Sequence, residues 1–133
     1  MRTPICSLSL LALALIGGTL RAERLDIIAL GAKGEKKKKN TAIIQQAIDS
    51  VTRAGGGTVF IPAGTFVSGT LYLRNHVTLE LSAGATLLAS PDRADYNADD
   101  FCPQNQVFAQ ENVSGAHFIV ALETERVTIC GQG

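Results

Sequence analysis

Residues 55–88 decide the fold, and they read GGGTVFIPAGTFVSGTLYLRNHVTLELSAGATLL. Short runs of Val, Ile, Phe and Leu alternate there with Gly, Pro, Ser and Asn, which is typical of short β-strands separated by tight turns. Within Val77–Leu81, apolar and polar side chains alternate, as a half-buried strand requires. The interruptions are too short for crossover helices, so the pattern excludes a βαβ winding.

The same stretch repeats itself weakly along its own length, and two spacings recur. The shorter spacing aligns Thr58 with Thr78, and the longer one brings the phrase Val77-Thr78-Leu79 back as Val127-Thr128-Ile129. Periods near 20 built from short strands favour a solenoid, in which each coil stacks on its neighbour. A β-sandwich is the alternative, but it favours longer strands and hairpin dipeptides such as Asn-Gly, which this sequence lacks. The shorter spacing also aligns Ile61 with Leu81, Ala63-Gly64 with Ala83-Gly84, and Val67 with Leu87.

An amphipathic helix is predicted over Asn40–Ala54, upstream of these strands. Asn40 and Thr41 offer oxygens that can cap its first turn, and Gly55–Gly57 ends it by accepting left-handed backbone. One face carries apolar residues at helical spacing, which are Ile44, Ala47, Ile48 and Val51.

The segment 1–22 is predicted to be a secretory signal peptide. Arg2 supplies the positive start, Leu8–Ile16 the short apolar core, and the segment up to Ala22 the small residues near a cleavage point. The apolar run is shorter than the roughly 20 residues needed to span a bilayer. We therefore expect a secreted or periplasmic protein, with residues 23–133 as the mature part of the chain and no stable membrane association after cleavage.

The charge balance of the sequence limits the kinds of macromolecule that the protein can bind. The 133 residues carry twelve Lys plus Arg against twelve Asp plus Glu, so the formal net charge is zero and a dedicated nucleic-acid binder is excluded. The run Lys36–Lys39 is interpreted as a solvated turn. The alternative is a contact with an acidic partner, such as a polyuronic acid or a membrane surface.

An ordered set of motifs extends over the chain from about Leu25 to Gly133. Its members are Gly31–Gly34, Asn40-Thr41, Ile44–Ile48, Gly55–Val59, Pro62–Phe66, Gly69–Leu73, Val77–Leu79 and Gly84–Leu87. This succession resembles the amino-terminal portion of polygalacturonases, the pectin-degrading glycoside hydrolases of family 28 in the pectate-lyase-like superfamily. The resemblance implies an all-β fold, a right-handed parallel β-helix domain of which residues 23–133 are the N-terminal part. The amphipathic helix would cap the open N-terminal end of this β-helix. The sequence departs from the family at Gly34-Glu35-Lys36, where the family usually has Gly-Asp-Gly.

The resemblance also implies inverting hydrolysis of pectin or a related uronic-acid polysaccharide, which would be the substrate partner of the full-length protein. It places the catalytic carboxylates, a His and an Arg-x-Lys motif downstream of Gly131-Gln132-Gly133. We therefore assign no catalytic, metal-binding or cofactor-binding residue, and we expect this chain alone to be inactive. The alternative is a non-catalytic β-helical module that binds polysaccharide or caps a larger solenoid.

Several polar residues are judged by their own surroundings. Asp99-Asp100 imitates a catalytic pair, but it lies in the polar segment Asp92–Gln110 and is interpreted as solvated loop. His76 is interpreted as a turn or edge residue and His117 as the start of a strand. Neither histidine is assigned a catalytic role.

The last part of the chain adds three expectations. The strand from His117 to Leu122 is expected to point Phe118, Val120 and Leu122 inward. Cys102 and Cys130 permit one disulfide in an exported protein, although Cys130 also suits a small buried side chain. Asn112-Val113-Ser114 is a formal glycosylation sequon.

Overall fold

A computed structural model describes residues 23–97 and 117–133 of the chain. In these two ranges the chain forms short strands and one α-helix. Helix α1 covers Thr41–Arg53, and 3-10 turns cover Ile27–Leu30 and Arg93–Asp95. Among the described helices, none is both long and apolar enough to cross a membrane. The strands are β1 (Glu23–Asp26), β2 (Gly57–Ile61), β3 (Gly64–Ser68), β4 (Leu71–Tyr72), β5 (Val77–Leu81), β6 (Ala85–Ala89), β7 (Ile119–Val120) and β8 (Thr128–Gly131).

Every strand pairing in the described ranges is parallel. The strands form a four-stranded sheet in the order β1-β2-β5-β8 and two pairs, β3-β6 and β4-β7. From β2 onward the chain visits the first sheet, the second and the third, and then the first again. Each circuit therefore adds one strand to each sheet, and the described stretch from β2 to β6 contains no crossover helix.

The strand register tests the two repeats that the sequence predicted. Thr58 pairs with Thr78 and Thr78 with Thr128, so both the shorter and the longer spacing are confirmed in the first sheet. In the second sheet Val67 pairs with Leu88, and the predicted alignment of Val67 with Leu87 was wrong by one position. The reason is that the turn before β6, residues 82–84, is longer by one position than the turn before β3, residues 62–63.

The apolar core lies between α1 and the sheets. The predicted helix and its buried face are confirmed, and that face packs against β1, β2, β4 and the first 3-10 turn. Gly55 and Gly56, with φ of 97° and 113°, end the helix as expected. The fully buried core side chains are Ile27, Ile44, Ala47, Ile48, Val51, Val59, Ile61, Phe66, Leu71, Val77 and Leu79.

The predicted side-chain cap of α1 was wrong at Asn40. Its side chain makes no capping hydrogen bond to the helix and instead closes the preceding loop. Asn40 Oδ1 accepts from the Lys33 amide at 2.9 Å, and Nδ2 donates to the carbonyls of Lys33 and Lys38 at 3.1 and 2.8 Å. Because Asn40 is only 2% exposed, its amide must find partners nearby, and this loop supplies them.

The expected inward phase of the strand after His117 was also wrong. Leu71 is fully buried and pairs with Ile119, so Ile119 lies on the core side of β7 and Val120 on the outer side with Tyr72. Leu122 is 53% exposed. Pairing with β4 sets this phase, and alternation alone leaves two choices of face.

The last strands of the three sheets, β6, β7 and β8, form what we call the open edge. No described strand pairs with their outer sides. All four residues of β8 are exposed, and Ile129 is 53% exposed although it pairs with the fully buried Leu79. Leu88 and Leu122 add further exposed apolar surface along this edge.

Candidate functional site

Ionised side chains meet between the lysine run and the segment Ser90–Asn97, which we call the strap. Lys39 Nζ lies 2.8 Å from Asp95 and 3.1 Å from Asp92. Asp92 is also the N-cap of the 3-10 turn, because its Oδ1 accepts from the Ala94 amide at 3.0 Å. Lys39 therefore fastens the strap to the loop that precedes α1.

The strap lies directly on the backbone of Gly69 and Thr70, which follow β3 in the chain. The Thr70 amide donates to the Asp95 carbonyl at 3.1 Å, and a Cβ on Gly69 would lie 1.9 Å from that carbonyl oxygen. Glycine at position 69 is therefore required by this close approach. Within the strap, Tyr96 Oη donates to the Ser90 carbonyl at 2.6 Å, and Ser90 Oγ donates to Asp95 Oδ2.

A second polar cluster joins the strap to the start of β7. The His117 amide donates to Asn97 Oδ1 at 3.0 Å, and Asn97 Nδ2 lies 3.2 Å from His117 Nδ1. Thr70 Oγ1 donates to the His117 carbonyl at 2.6 Å and accepts from the Asn97 amide at 2.9 Å. Residues 97 and 117 are thereby held together beside β4. Sequence reasoning missed Thr70, because nothing in a strand pattern marks a threonine that bonds two distant segments.

The strap's charges stabilise one another. Hydrogen bonds to Asp95 and Asp92 raise the pKa of Lys39. The Ala94 amide, and then Lys39, lower the pKa of Asp92, while Lys39, and then Ser90, lower the pKa of Asp95. Both carboxyl groups are therefore held as carboxylates.

We expect Lys39→Gln to lower the stability of the chain at neutral pH and Lys36→Gln, which removes an unpaired charge, to leave it unchanged. Since the lowered pKa values of the two aspartates stabilise the folded state above their ordinary value of 3.8, the difference between the variants is lost as pH falls through the lowered values. The raised pKa of Lys39 stabilises the fold below 10.5, and that stabilisation is lost as pH rises through the raised value. Urea unfolding of both variants from acidic to alkaline pH measures the difference. A difference that does not shrink as the pH falls below 3.8 contradicts the ion-pair explanation.

The two histidines of the chain lie at a turn and shortly before β7. His76 is an exposed turn residue with φ of 62°, as expected, and its carbonyl accepts from the Gly57 amide at 3.0 Å. Its own amide donates to the Glu125 carbonyl at 2.9 Å, so His76 links successive turns through its backbone. His117 lies two residues before β7, so the expectation that it starts the strand was wrong, and its amide is hydrogen-bonded to Asn97.

Several other residues that the sequence analysis singled out lie outside the residues that the structure describes. Asp99-Asp100, Asn112 and Cys102 lie outside the described residues, as does the predicted signal peptide at 1–22. Cys130 is a free, exposed thiol on β8, so the expectation of a buried side chain was wrong there. Cys130 pairs with Glu80 on the outer face of the first sheet, opposite to the face that carries buried Leu79.

A shallow cavity of about 200 Å³ opens on the β4–β7 pair. Among its described lining residues Arg74 is the charged one, and its Nε lies 3.3 Å from Asp49 on α1. The cavity is lined by Tyr72, Leu73, Arg74, Val120 and Leu122.

In residues 23–97 and 117–133, no three His, Cys, Asp or Glu side chains come together in a group that could hold a metal ion.

The cluster of Lys39, Asp92 and Asp95 suits the binding of a charged group better than acid–base catalysis. A carboxylic acid that donates a proton to a leaving group needs a raised pKa, and Asp92 and Asp95 have lowered ones. Lysine and arginine side chains at the surface can instead attract anionic groups.

Comparisons with known proteins find partial sequence matches, which include a galacturonosidase and an alginate lyase. The chain is 44% identical over 72 residues to the exo-poly-α-D-galacturonosidase of Dickeya chrysanthemi, a match that covers 54% of this chain and 12% of that protein. It is 55% identical over 40 residues to alginate lyase 7 of Azotobacter vinelandii, covering 29% of this chain and 5% of that one. No protein-family profile matches the chain.

A structural comparison extends over more of the chain. The family 28 exopolygalacturonase of Yersinia enterocolitica superposes with a TM-score of 0.70 and 34% sequence identity, covering 84% of this chain. The match includes 20% of that enzyme, so the chain spans only a fifth of its length.

Proposed function

Because the chain is similar in sequence and in structure to polygalacturonases of glycoside hydrolase family 28, we propose that it is the amino-terminal portion of an exported hydrolase of that kind. The substrate of the whole protein is pectin or a related uronic-acid polysaccharide, and the reaction is inverting hydrolysis. The structural match over 84% of the chain carries this proposal, because both the fold and a third of the residues agree with a family 28 enzyme.

The proposed fold of this portion is a right-handed parallel β-helix with α1 as its N-terminal cap. Three parallel sheets that the chain visits in rotation support it. A stacked solenoid exposes the interior of its first coil unless an amphipathic element covers it. The apolar face of α1 is fully buried against β1, β2 and β4, as a cap requires.

This portion is proposed to be inactive by itself. Inverting hydrolysis needs one carboxylic acid and one carboxylate base about 6.5–9.5 Å apart. The strap's two carboxyl groups share Lys39 and both have lowered pKa values, which does not suit a proton donor. The same observation supports the second candidate, a non-catalytic module that binds polysaccharide or caps a larger solenoid.

The test is an assay on polygalacturonate of two purified polypeptides, the chain itself and a longer one that begins with the same residues. We expect no reducing ends from the chain, and we expect hydrolysis with inverted anomeric configuration, followed by proton NMR, from the longer polypeptide. Turnover by the chain alone contradicts the proposed inactivity. A longer polypeptide that binds polygalacturonate without hydrolysing it would favour the non-catalytic module.

A further inference from the structure

We propose that Lys36, Lys37 and Lys38 form a docking surface for an acidic polysaccharide. This inference rests on the proposed function, since it names a second contact for the same class of substrate. The four consecutive lysines fall into two groups. Lys39 holds the fold together through ion pairs, and the other three lysines do not.

Lys39 has the structural role. Its ammonium group is paired with both strap carboxylates, at 2.8 and 3.1 Å, so its charge is neutralised within the protein. Lys36, Lys37 and Lys38 are exposed and make no ion pair within the described part of the chain. Three exposed ammonium groups without an ion pair among the described residues therefore lie next to one that is paired.

The loop that carries them has a fixed backbone. Buried Asn40 makes three hydrogen bonds to the backbone at Lys33 and Lys38, the two ends of the lysine-bearing turn. The Lys38 amide also donates to the Glu35 carbonyl at 3.0 Å. Because the turn is already ordered, binding a ligand there costs less backbone entropy than ordering a free loop.

The charge and the composition of the loop identify the partner class. A polyuronate carries a carboxylate on each sugar, so it presents a row of negative charges to three adjacent ammonium groups. Residues 33–39 read KGEKKKK, with Glu35 as the single acidic residue and no apolar side chain. A membrane-binding element normally adds apolar side chains that enter the bilayer, and this loop has none. The observations therefore favour an acidic polysaccharide over a lipid surface.

The test measures the affinity of the full chain for polygalacturonate at several salt concentrations. The variant is Lys36→Gln/Lys37→Gln/Lys38→Gln, and Arg53→Gln/Arg93→Gln/Arg126→Gln is the control that removes the same net charge from dispersed exposed positions. We expect the lysine variant to bind about 10-fold more weakly or worse at low salt, and its log–log salt dependence to be less steep by about 2. The control should change affinity by less than about 3-fold, and Lys36→Arg/Lys37→Arg/Lys38→Arg should retain binding.

Two further probes separate the possible partners. Fully methyl-esterified galacturonan has the same sugar backbone without the charge, and we expect no binding to it. Equal losses in the lysine variant and the dispersed control overturn the docking surface, because net charge then explains the binding. Tighter binding to phosphatidylserine vesicles than to polygalacturonate also overturns it, in favour of a membrane. The proposed function fails separately, through absent hydrolysis by the longer polypeptide, whatever affinity the lysine loop shows.

Discussion

Replacing Ile48 with alanine is expected to lower the free energy of unfolding by about 2–5 kcal/mol. Ile48 is fully buried on the face of α1 that packs against β1, β2 and β4. The substitution removes three buried carbon atoms and leaves a cavity that the surrounding strands can only partly fill. Urea unfolding followed by circular dichroism measures the change.

Gln46→Ala is the matched control, because Gln46 is exposed on the opposite side of the same helix. Its effect should remain within about 0.5 kcal/mol, as for most surface substitutions. Equal effects of the two substitutions would show that the helix is not packed on the sheets, and the proposed cap would then be wrong.

The second large effect concerns the open edge. We expect the chain to self-associate at micromolar concentrations, since unpaired strand edges and exposed apolar side chains lie together there. Ile129→Lys should raise the dissociation constant by about 10- to 100-fold, because burying one isoleucine contributes roughly 1.5–3 kcal/mol. Analytical ultracentrifugation over a concentration series measures the shift.

Thr128→Lys provides the comparison at the open edge. Thr128 is the neighbour of Ile129 on β8 and pairs with Thr78, on the other face of the sheet. A lysine there adds the same charge without removing apolar surface from the core side. A chain that stays monomeric at all concentrations, or two substitutions with equal effects, contradicts the assigned role of Ile129.

Local features of the fold could be predicted from the sequence. The spacing of Ile44, Ala47, Ile48 and Val51 identified the buried face of α1, because the period of an α-helix brings these positions together. The shorter and longer repeats identified the partners in the first sheet, because in-register stacking places equivalent residues opposite each other.

Features that are set by contacts between distant parts of the chain could not be predicted from the sequence. β1 was missed because Glu23–Asp26 has one strong apolar position, Leu25, among charged neighbours. The face of β7 is fixed by pairing with β4, which lies far earlier in the chain, as the partners Leu71 and Ile119 show. The strap was expected only as a polar loop, because the ion pairs of Lys39 with Asp92 and Asp95 join segments that no local pattern connects.

The central claim is that the chain circles through three parallel sheets and returns to the first one after residues 98–116. Nuclear Overhauser contacts between the backbones of β5 and β8 in isotope-labelled chain test it most directly. The account predicts contacts from Thr78 to Thr128 and from Glu80 to Cys130, so that both residue numbers rise together. Contacts in which one number rises while the other falls would mean antiparallel hairpins and would contradict the account.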